Sequence, residues 1–427
     1  MRRPQIPRRF RGTLERRRRF AIVLAALDIG TNKVVTLVAD LKEDGDLEIC
    51  ASGICLSQGM RKGIVVNMEQ MVDSIRKSVE EAELMLEDKN KITSVYVGIC
   101  GEHIEGALSD GMAPIHEGEV SQFDMSNAVA TAKTIPISDN QEILHAFPRE
   151  FMIDGESGIR NPEGMAGRRL EAKVYMITGG KYQILNIKNC IERCGLMIKD
   201  IVLEPIASGM AVLTADEREL GVCLIDIGGG TTDIAVYTEG EIIDTKIIPV
   251  AGDHVSTDIA KVLRTPPNYA EEIKLKYGCT KSRIKNSNEM IEIHALSDDS
   301  PVINCKRQTL AEVIEARYDE IFGLTLQHLR KNFKQDVIAG IVLTGGGSKL
   351  EGIDDLAKEI FDMPVRVGSP QQLKDSVGNL KDPIYATGFG LLLYAKDLAL
   401  YTESNKSELG QLKTAWLKTK RWFHNHY

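Results

Sequence analysis

Residues 28–33 read Asp-Ile-Gly-Thr-Asn-Lys, and residues 226–233 read Asp-Ile-Gly-Gly-Gly-Thr-Thr-Asp. Each stretch follows an apolar run of strand length and precedes a second strand pattern, with no helix pattern between the two. A Walker A loop and a Rossmann fingerprint both require a helix directly after the glycines, so neither describes these stretches. The pattern instead predicts two tight β-hairpins, one in each half of the chain.

A glycine-rich hairpin of this kind can bind phosphate. Glycine permits positive φ and close backbone approach, so successive N–H groups can point at one anion. An aspartate at the strand end adds a hard oxygen that suits Mg²⁺ held largely through waters. A third glycine turn at 344–348 follows an apolar strand pattern and precedes a helix pattern. Together the three loops predict a nucleotide whose phosphates are clamped between two lobes.

Strand and helix patterns alternate along most of the chain, which predicts an α/β fold. Strands are predicted at 21–28, 33–40, 47–56, 93–100, 172–178, 200–203, 221–227, 233–238, 242–249 and 338–344, and helices at 67–88, 181–194, 253–263, 309–334 and 350–360. Between about 101 and 171 the patterns become irregular and rich in Gly, His and Pro. This change predicts an inserted small α+β module.

The three loops, in this order, resemble those of the actin, heat-shock chaperone and sugar kinase superfamily. Within it, the chain resembles the bacterial cell-division family FtsA over residues 21–427. The segments that carry this closer resemblance are 57–63, 192–196, 217–222, 265–267, 307–315 and 341–346. The resemblance implies a two-lobed actin-like ATPase fold with an FtsA-type inserted subdomain and a C-terminal amphipathic helix. It also implies ATP with Mg²⁺ in the cleft and at most weak hydrolysis.

The resemblance divides the chain into units. These are a basic extension (1–20), first-lobe segments (21–95, 175–205 and 371–400), the inserted subdomain (96–174), second-lobe core segments (206–260 and 337–370), the small subdomain of the second lobe (261–336), a linker (401–408) and the amphipathic helix (409–427).

Matching motifs also imply residues around the nucleotide. Asp28 and Asp226 would orient waters on Mg²⁺, and Glu204 would position a further water. The full implied set is Asp28, Gly30, Thr31, Asn32, Lys33, Asp226, Gly228, Gly229, Gly230, Thr231, Glu271, Lys274, Gly345, Gly346 and Ser348. Other interpretations stay open for some of these: a solvated lysine at Lys33, a helix-cap carboxylate at Glu204, and an i, i+3 surface ion pair between Glu271 and Lys274.

Charge is concentrated at the two ends of the chain. Residues 1–20 carry nine Arg and one Glu, and residues 409–427 carry four basic residues and no acid, although the whole chain has a net charge of −8. The body is therefore acidic, which argues against a nucleic-acid partner. The basic start can be a nucleic-acid or membrane arm, a solvated tail, or an over-extended translation start, with true initiation near Ile22.

The eight cysteines contain no C-x-x-C pair, which favours free thiols in a reducing compartment over a zinc ribbon. No apolar run approaches the roughly 20 residues that a membrane span requires.

The C-terminal segment has the pattern of a helix that lies in a membrane interface. On a 3.6-residue period its aromatic side chains and most of its aliphatic ones share one broad face, while most of its basic side chains lie off that face; Leu417 breaks the pattern by falling among the polar positions. The residues expected at the membrane are Leu412, Trp416, Lys420, Trp422 and Phe423. A terminal helix docked on the body and a partner-binding helix are the open alternatives.

The FtsA resemblance further implies partners and a location. Arg307, Arg317 and Glu320 would bind the C-terminal tail of FtsZ, although a merely solvated helix face is the alternative. The protein would form polymers or dimers with itself, bind anionic lipid, and recruit later division proteins. It would sit peripherally on the cytoplasmic face of the bacterial inner membrane at the division site. A PilM-type pilus assembly adaptor and a small-molecule kinase are the other functional classes considered.

Overall fold

The computed structural model of the chain describes residues 22–86, 91–284, 289–293, 303–333, 336–371, 374–375 and 380–404. The basic extension at 1–20 and the expected membrane helix at 409–427 lie outside these residues. The described strands are β1 (Ile22–Ile29), β2 (Lys33–Leu41), β3 (Leu47–Leu56), β4 (Met60–Arg61), β5 (Ile64–Val65), β6 (Ser94–Ile99), β7 (Glu105–Pro114), β8 (Gln141–Ile153), β9 (Glu156–Ile159), β10 (Arg169–Gly180), β11 (Met197–Leu203), β12 (Val222–Ile227), β13 (Thr232–Thr238), β14 (Glu241–Ile248), β15 (Met290–Ile293), β16 (Ile303–Lys306), β17 (Gly340–Thr344), β18 (Val365–Val367) and β19 (Lys374–Asp375).

The described helices cover the faces of these strands and run between them. They are α1 (Met68–Met85), α2 (Gln122–Ala132), α3 (Lys181–Arg193), α4 (Glu204–Val212), α5 (Ala215–Leu220), α6 (Gly252–Leu263), α7 (Pro267–Tyr277), α8 (Arg307–Asn332), α9 (Ile353–Phe361) and α10 (Ala386–Ser404). In the part of the chain that the structure describes, no helix is both long and apolar enough to cross a membrane.

The first lobe is built on a six-stranded sheet in the order β11-β6-β1-β2-β3-β19. Successive side chains of a strand point to opposite faces, so the uninterrupted apolar run of β1 buries both. Leu24 and Ala26 join the cluster that includes α4 and α10, whereas Ala25 and Leu27 join the cluster under α1 and α3. β1 and β2 form an antiparallel hairpin, as the sequence predicts, with Asp28 opposite Val35.

The second lobe repeats this hairpin on a five-stranded sheet in the order β14-β13-β12-β17-β18. β12 and β13 pair antiparallel, with Asp226 opposite Asp233, and β17 runs parallel to β12. One face of this sheet packs under α6 to α9, while the other contributes Val222 and Leu224 to the cluster shared with α4 and α10. The two lobes therefore share one apolar core.

The inserted module consists of a four-stranded sheet in the order β7-β10-β8-β9, with α2 packed against β7 and β10. The sequence predicts an inserted module here, but it does not reveal β7 and β8 as regular strands. In β7 the reason lies at Gly111, where a Cβ would overlap the backbone of α2 at Ala128 and Ala132. Close helix approach therefore selects a residue of poor strand propensity.

The predicted strands and helices are confirmed, with ends that differ by a few residues. The sequence analysis gave no bounds for α2, α4, α5, α7 and α10. Helix α10 extends to Ser404, so the first four residues of the expected linker at 401–408 are helical.

Candidate functional site

The two Asp-Ile-Gly hairpins meet across a cleft between the lobes. A cavity of about 410 Å³ opens between them and also reaches the third glycine turn. The hairpin tips are so close that a Cβ at Gly230 would overlap the Thr31 hydroxyl, and one at Gly229 would lie 2.5 Å from Cγ of Asn32. The facing loop therefore leaves little room for a side chain at this tip.

The structure brings together nearly the whole set of residues that the sequence assigned to a nucleotide. Fourteen of the fifteen line the cavity: Asp28, Gly30, Thr31, Asn32, Lys33, Asp226, Gly228, Gly229, Gly230, Thr231, Glu271, Lys274, Gly345 and Gly346. Ser348 is not among the lining residues. It is buried, and its hydroxyl donates to the Gly345 carbonyl at 2.7 Å, so it holds the shape of the third loop.

Four carboxylates converge on the floor of the cleft. Asp28, Asp226 and Asp233 are each at most 7% exposed, and Glu204 joins them from the first turn of α4. Burial raises the pKa of Asp28 to about 6 and that of Asp233 to about 8, and it raises the pKa of Asp226 and Glu204 as well. Removing carboxylates from water disfavours their charged form. A cation that binds among them would therefore be strongly stabilised.

Lys33 lies beside these carboxylates. Its Nζ donates to the Ile384 carbonyl and sits 5.9 Å from the centre of the Tyr385 ring. Burial lowers the pKa of Lys33, while the charges of Asp28 and Asp226 act in the opposite direction. The side chain thus connects the first hairpin to the turn that precedes α10.

Asp226 is held in place by two helices that the sequence did not predict. The Ser208 hydroxyl on α4 donates to Asp226 Oδ2 at 2.6 Å, and Ser208 also lies 3.0 Å from the Thr387 hydroxyl on α10. Local sequence carries no sign of this contact, because Ser208 and Thr387 are 179 residues apart.

The far end of the cavity is formed by α6, α7 and α8. Lys274 pairs with Glu271 at 2.6 Å and donates to the Gly252 carbonyl at 3.1 Å, so the i, i+3 ion pair exists and also lines the cavity. Tyr318 on α8 donates to the Gly347 carbonyl at 2.9 Å. Apolar side chains at Leu275 and Leu350 complete this end, which therefore combines polar groups with surfaces that can face a planar ring.

The mouth of the cleft is bridged between the lobes. Asn32 of the first hairpin donates to the Asp253 carboxylate at 2.6 Å. Asp253 N–H in turn donates to the Gly229 carbonyl at 2.8 Å, which fixes the start of α6 against the second hairpin. Relative movement of the lobes would have to break this connection.

The three residues assigned to the FtsZ tail do not form one cluster. Arg317 pairs with Asp258 of α6 at 2.6 Å and with Glu320 one turn along α8. Arg307 lies ten residues earlier, a rise of about 15 Å along the helix. It pairs with Glu289 at 3.2 Å and donates to the Tyr277 carbonyl.

The five residues assigned to the membrane, Leu412, Trp416, Lys420, Trp422 and Phe423, lie outside the described residues.

Comparison with known proteins places this architecture in a family. A model described as cell division protein FtsA matches residues 223–390, and one described as the SHS2 domain inserted in FtsA matches residues 101–178. The chain is 48% identical over 373 residues to cell division protein FtsA of Pseudomonas aeruginosa, which covers 87% of this chain and 89% of that protein. The chain belongs to the FtsA family. Its identity to the Escherichia coli K12 member of the family is 41% over 390 residues, covering 90% of this chain and 92% of that protein.

Solved structures confirm the actin-like fold of this FtsA family member. A chain of the PilM–PilN type IV pilus biogenesis complex superposes with a TM-score of 0.63 at 16% identity, covering 88% of this chain and 98% of that chain. MreB5 of Spiroplasma citri bound to ADP superposes with a TM-score of 0.54 at 17% identity, covering 90% and 99%. The inserted FtsA-type subdomain expected from the sequence is confirmed by the matched SHS2 domain.

Proposed function

We propose that the cleft binds ATP with Mg²⁺. The observation that carries this proposal is the convergence of three glycine loops and two buried aspartates on one cavity of about 410 Å³, a size typical of small-molecule sites. Backbone N–H groups of the two hairpins would bind the phosphates, and Glu271 and Lys274 would contact the ribose and base. The relative solved with bound ADP shares the fold and supports the nucleotide class.

Asp28 and Asp226 fit the requirements of Mg²⁺. Both offer hard carboxylate oxygens, both are buried, and they lie at the ends of facing hairpins. The cation would neutralise charge on the phosphates. The Ser208 hydroxyl holds Asp226 in position, and Lys33 lies beside both acids. Glu204 would position a water.

Substitution of Asp226 tests nucleotide binding directly. Asp226→Asn keeps the shape and can still accept from Ser208, but it removes the charge that would bind the cation. We expect ATP affinity in Mg²⁺ to fall at least tenfold, measured with a fluorescent ATP analogue. Asp73→Asn, at an exposed acid on α1, is the control and should bind as the parent does. If the parent, Asp226→Asn and Asp73→Asn bound ATP with equal affinity, the cleft would not be the nucleotide site.

We further propose that the protein acts in cell division, as its family does. It would polymerise through its actin-like body and tether FtsZ filaments to the cytoplasmic face of the inner membrane at the division site. FtsZ would bind near Arg317 and Glu320 with Arg307, and later division proteins would bind the inserted subdomain. Family membership supports this role over a PilM-type adaptor, since the likeness to PilM concerns the fold alone.

The membrane anchor is proposed at residues 409–427. A single Trp416→Glu substitution places a charge on the apolar face, so we expect it to abolish flotation with anionic vesicles. Thr414→Glu adds the same charge on the opposite, polar face and should reduce flotation only modestly. Flotation of Trp416→Glu at the level of the parent would contradict the anchor.

A further inference from the structure

Three sulfur-containing side chains meet where α1 packs against α3. Cys190 lies in the last turn of α3, and Cys194 directly follows the end of that helix. Residues four apart lie on the same face of a helix, with Cβ atoms about 5–6 Å apart. The third member, Met68, is the first residue of α1.

The contacts across this helix pair follow one register. The Cys190 thiol points at the Met68 thioether, with the two sulfur atoms 3.1 Å apart. One turn further along both helices, the Cys194 thiol donates to the Val72 carbonyl at 3.4 Å. Thiols are weak donors and a thioether is a weak acceptor, so these hydrogen bonds are readily exchanged for stronger bonds to a ligand.

We propose that Cys190, Cys194 and Met68 bind a soft monovalent cation of the Cu⁺ type through three sulfur ligands. Thiolate and thioether ligands together select Cu⁺. Zinc sites use thiolate, imidazole and carboxylate ligands instead, so the thioether argues against zinc. None of the three residues is among those that line the cleft cavity, and the inference does not depend on the proposed nucleotide function.

The cluster is accessible from one side. Cys190 is buried, whereas Cys194 and Met68 are only partly buried. An ion can therefore approach past the two partly exposed side chains and reach the buried thiol last.

The charges near the cluster suit a monovalent ion. Two thiolates with one Cu⁺ carry a single net negative charge. Burial raises the pKa of both thiols, that of Cys190 to about 11, while the guanidinium groups of Arg193 beside Cys190 and of Arg76 beside Cys194 act in the opposite direction. The same two cations would stabilise the negative complex.

Binding is balanced by proton release. Because burial raises the pKa of both thiols, each carries its proton when the cluster is empty. The ion would replace two S–H bonds with two bonds from copper to sulfur and release two protons to solvent, without electron transfer. Affinity for Cu⁺ should therefore rise with pH.

A bound ion would connect two parts of the first lobe. Helix α1 precedes the inserted module in the chain, and α3 follows it. An ion shared by Met68 and the two cysteines would join these helices and stabilise the folded state, because a ligand that binds only the folded state raises its stability.

Uptake of Cu⁺ from a coloured chelator complex tests the proposal. The untagged, fully reduced chain is mixed without oxygen with the Cu⁺ complex of bicinchoninate, whose visible absorption falls as the protein takes the ion. We expect the parent to take one Cu⁺ per chain and to melt at a higher temperature with it. Cys194→Ser should abolish uptake. Met68→Leu preserves the side-chain volume but removes the thioether, so its affinity should fall at least tenfold.

The controls separate this site from the other thiols, from misfolding and from the nucleotide. A Cys50→Ser/Cys55→Ser double variant removes two partly buried cysteines of β3 and should take up Cu⁺ as the parent does, as should Asp226→Asn. Circular dichroism of each variant without copper should match that of the parent.

Two kinds of outcome would overturn the proposal. One is a parent that takes no Cu⁺ from bicinchoninate. The other is a correctly folded Cys194→Ser or Met68→Leu variant with the affinity of the parent. A parent that binds Cu⁺ but not ATP would contradict the proposed nucleotide function alone, and one that binds ATP but not Cu⁺ would contradict this inference alone.

Discussion

Gly345 shows how a single residue fixes the third loop of the cleft. Its φ of 80° and ψ of 173° belong to a region that is essentially restricted to glycine. A Cβ there would also overlap Asp226 Oδ1 and the Ile227 carbonyl. The loop must therefore lie directly on the end of β12, and the position of the aspartate depends on it.

Gly345→Ala should destabilise the protein by about 2–4 kcal/mol, since it adds backbone strain to a steric overlap. Gly195→Ala is the matched control, because Gly195 also has positive φ (79°) but nothing lies within 4 Å of its Cβ position. The control should lose only about 1 kcal/mol. Denaturant-induced unfolding measures the loss of stability in both variants. Equal losses would show that contact with Asp226 contributes nothing.

Where a local motif contains them, residues could be predicted from the sequence to lie together in the cleft, while their role in nucleotide binding stays a prediction. The loops at 28–33 and 226–233 specify their own glycines and aspartates, and the structure places all of those assigned in the cleft. Ser208, Thr387 and Cys100 could not be found, because each reaches the site through a contact between distant segments. Such contacts depend on packing, which leaves no periodic pattern near the residue.

At the scale of elements, the strands were predictable because alternating or continuous apolar runs encode them directly. Helices α4 and α10 were not predictable, because they are packed between the lobes and lack a polar face that would reveal the helical period. A Cβ at Gly390 of α10 would overlap the Ala207 carbonyl of α4, so close approach of these two helices requires glycine. That requirement places a poor helix former inside a buried helix.

Helix α8 carries the proposed contact with FtsZ. Arg317→Glu would place a third carboxylate beside Asp258 and Glu320, so we expect affinity for an FtsZ C-terminal peptide to fall at least tenfold in fluorescence anisotropy at modest salt. Arg330→Glu reverses an exposed charge on the same helix and should have little effect.

Arg317→Lys keeps the charge but loses the planar group that contacts Asp258 and Glu320 together, so its affinity should fall less than that of Arg317→Glu. A melting temperature measured for each variant separates lost binding from lost folding. Unchanged affinity in Arg317→Glu, or an equal loss in Arg330→Glu, would remove this face of α8 from the proposed interface.

At the scale of the whole molecule, the inserted subdomain is fastened to the second lobe as well as the first. Tyr175 of β10 is buried, and its hydroxyl accepts from the Thr245 N–H on β14 at 2.8 Å. The neighbouring Asp244 lies 3.4 Å from that hydroxyl and 2.5 Å from His328 Nε2 on α8. The insert, the second-lobe sheet and α8 are therefore connected by one chain of polar contacts, which no local pattern could have indicated.

This connection predicts that removal of the Tyr175 hydroxyl lowers the stability of the protein. Tyr175→Phe preserves the ring but leaves the buried Thr245 N–H unpaired, so we expect a loss of about 1–3 kcal/mol in the free energy of unfolding. Amide exchange at Thr245 should accelerate, because its hydrogen bond crosses the interface between the units. Tyr182→Phe removes an exposed hydroxyl on α3 and should change neither quantity. If Tyr175→Phe behaves like that control, the Tyr175 hydroxyl does not help to hold the insert on the second lobe, and its polar chain to α8 does not couple them.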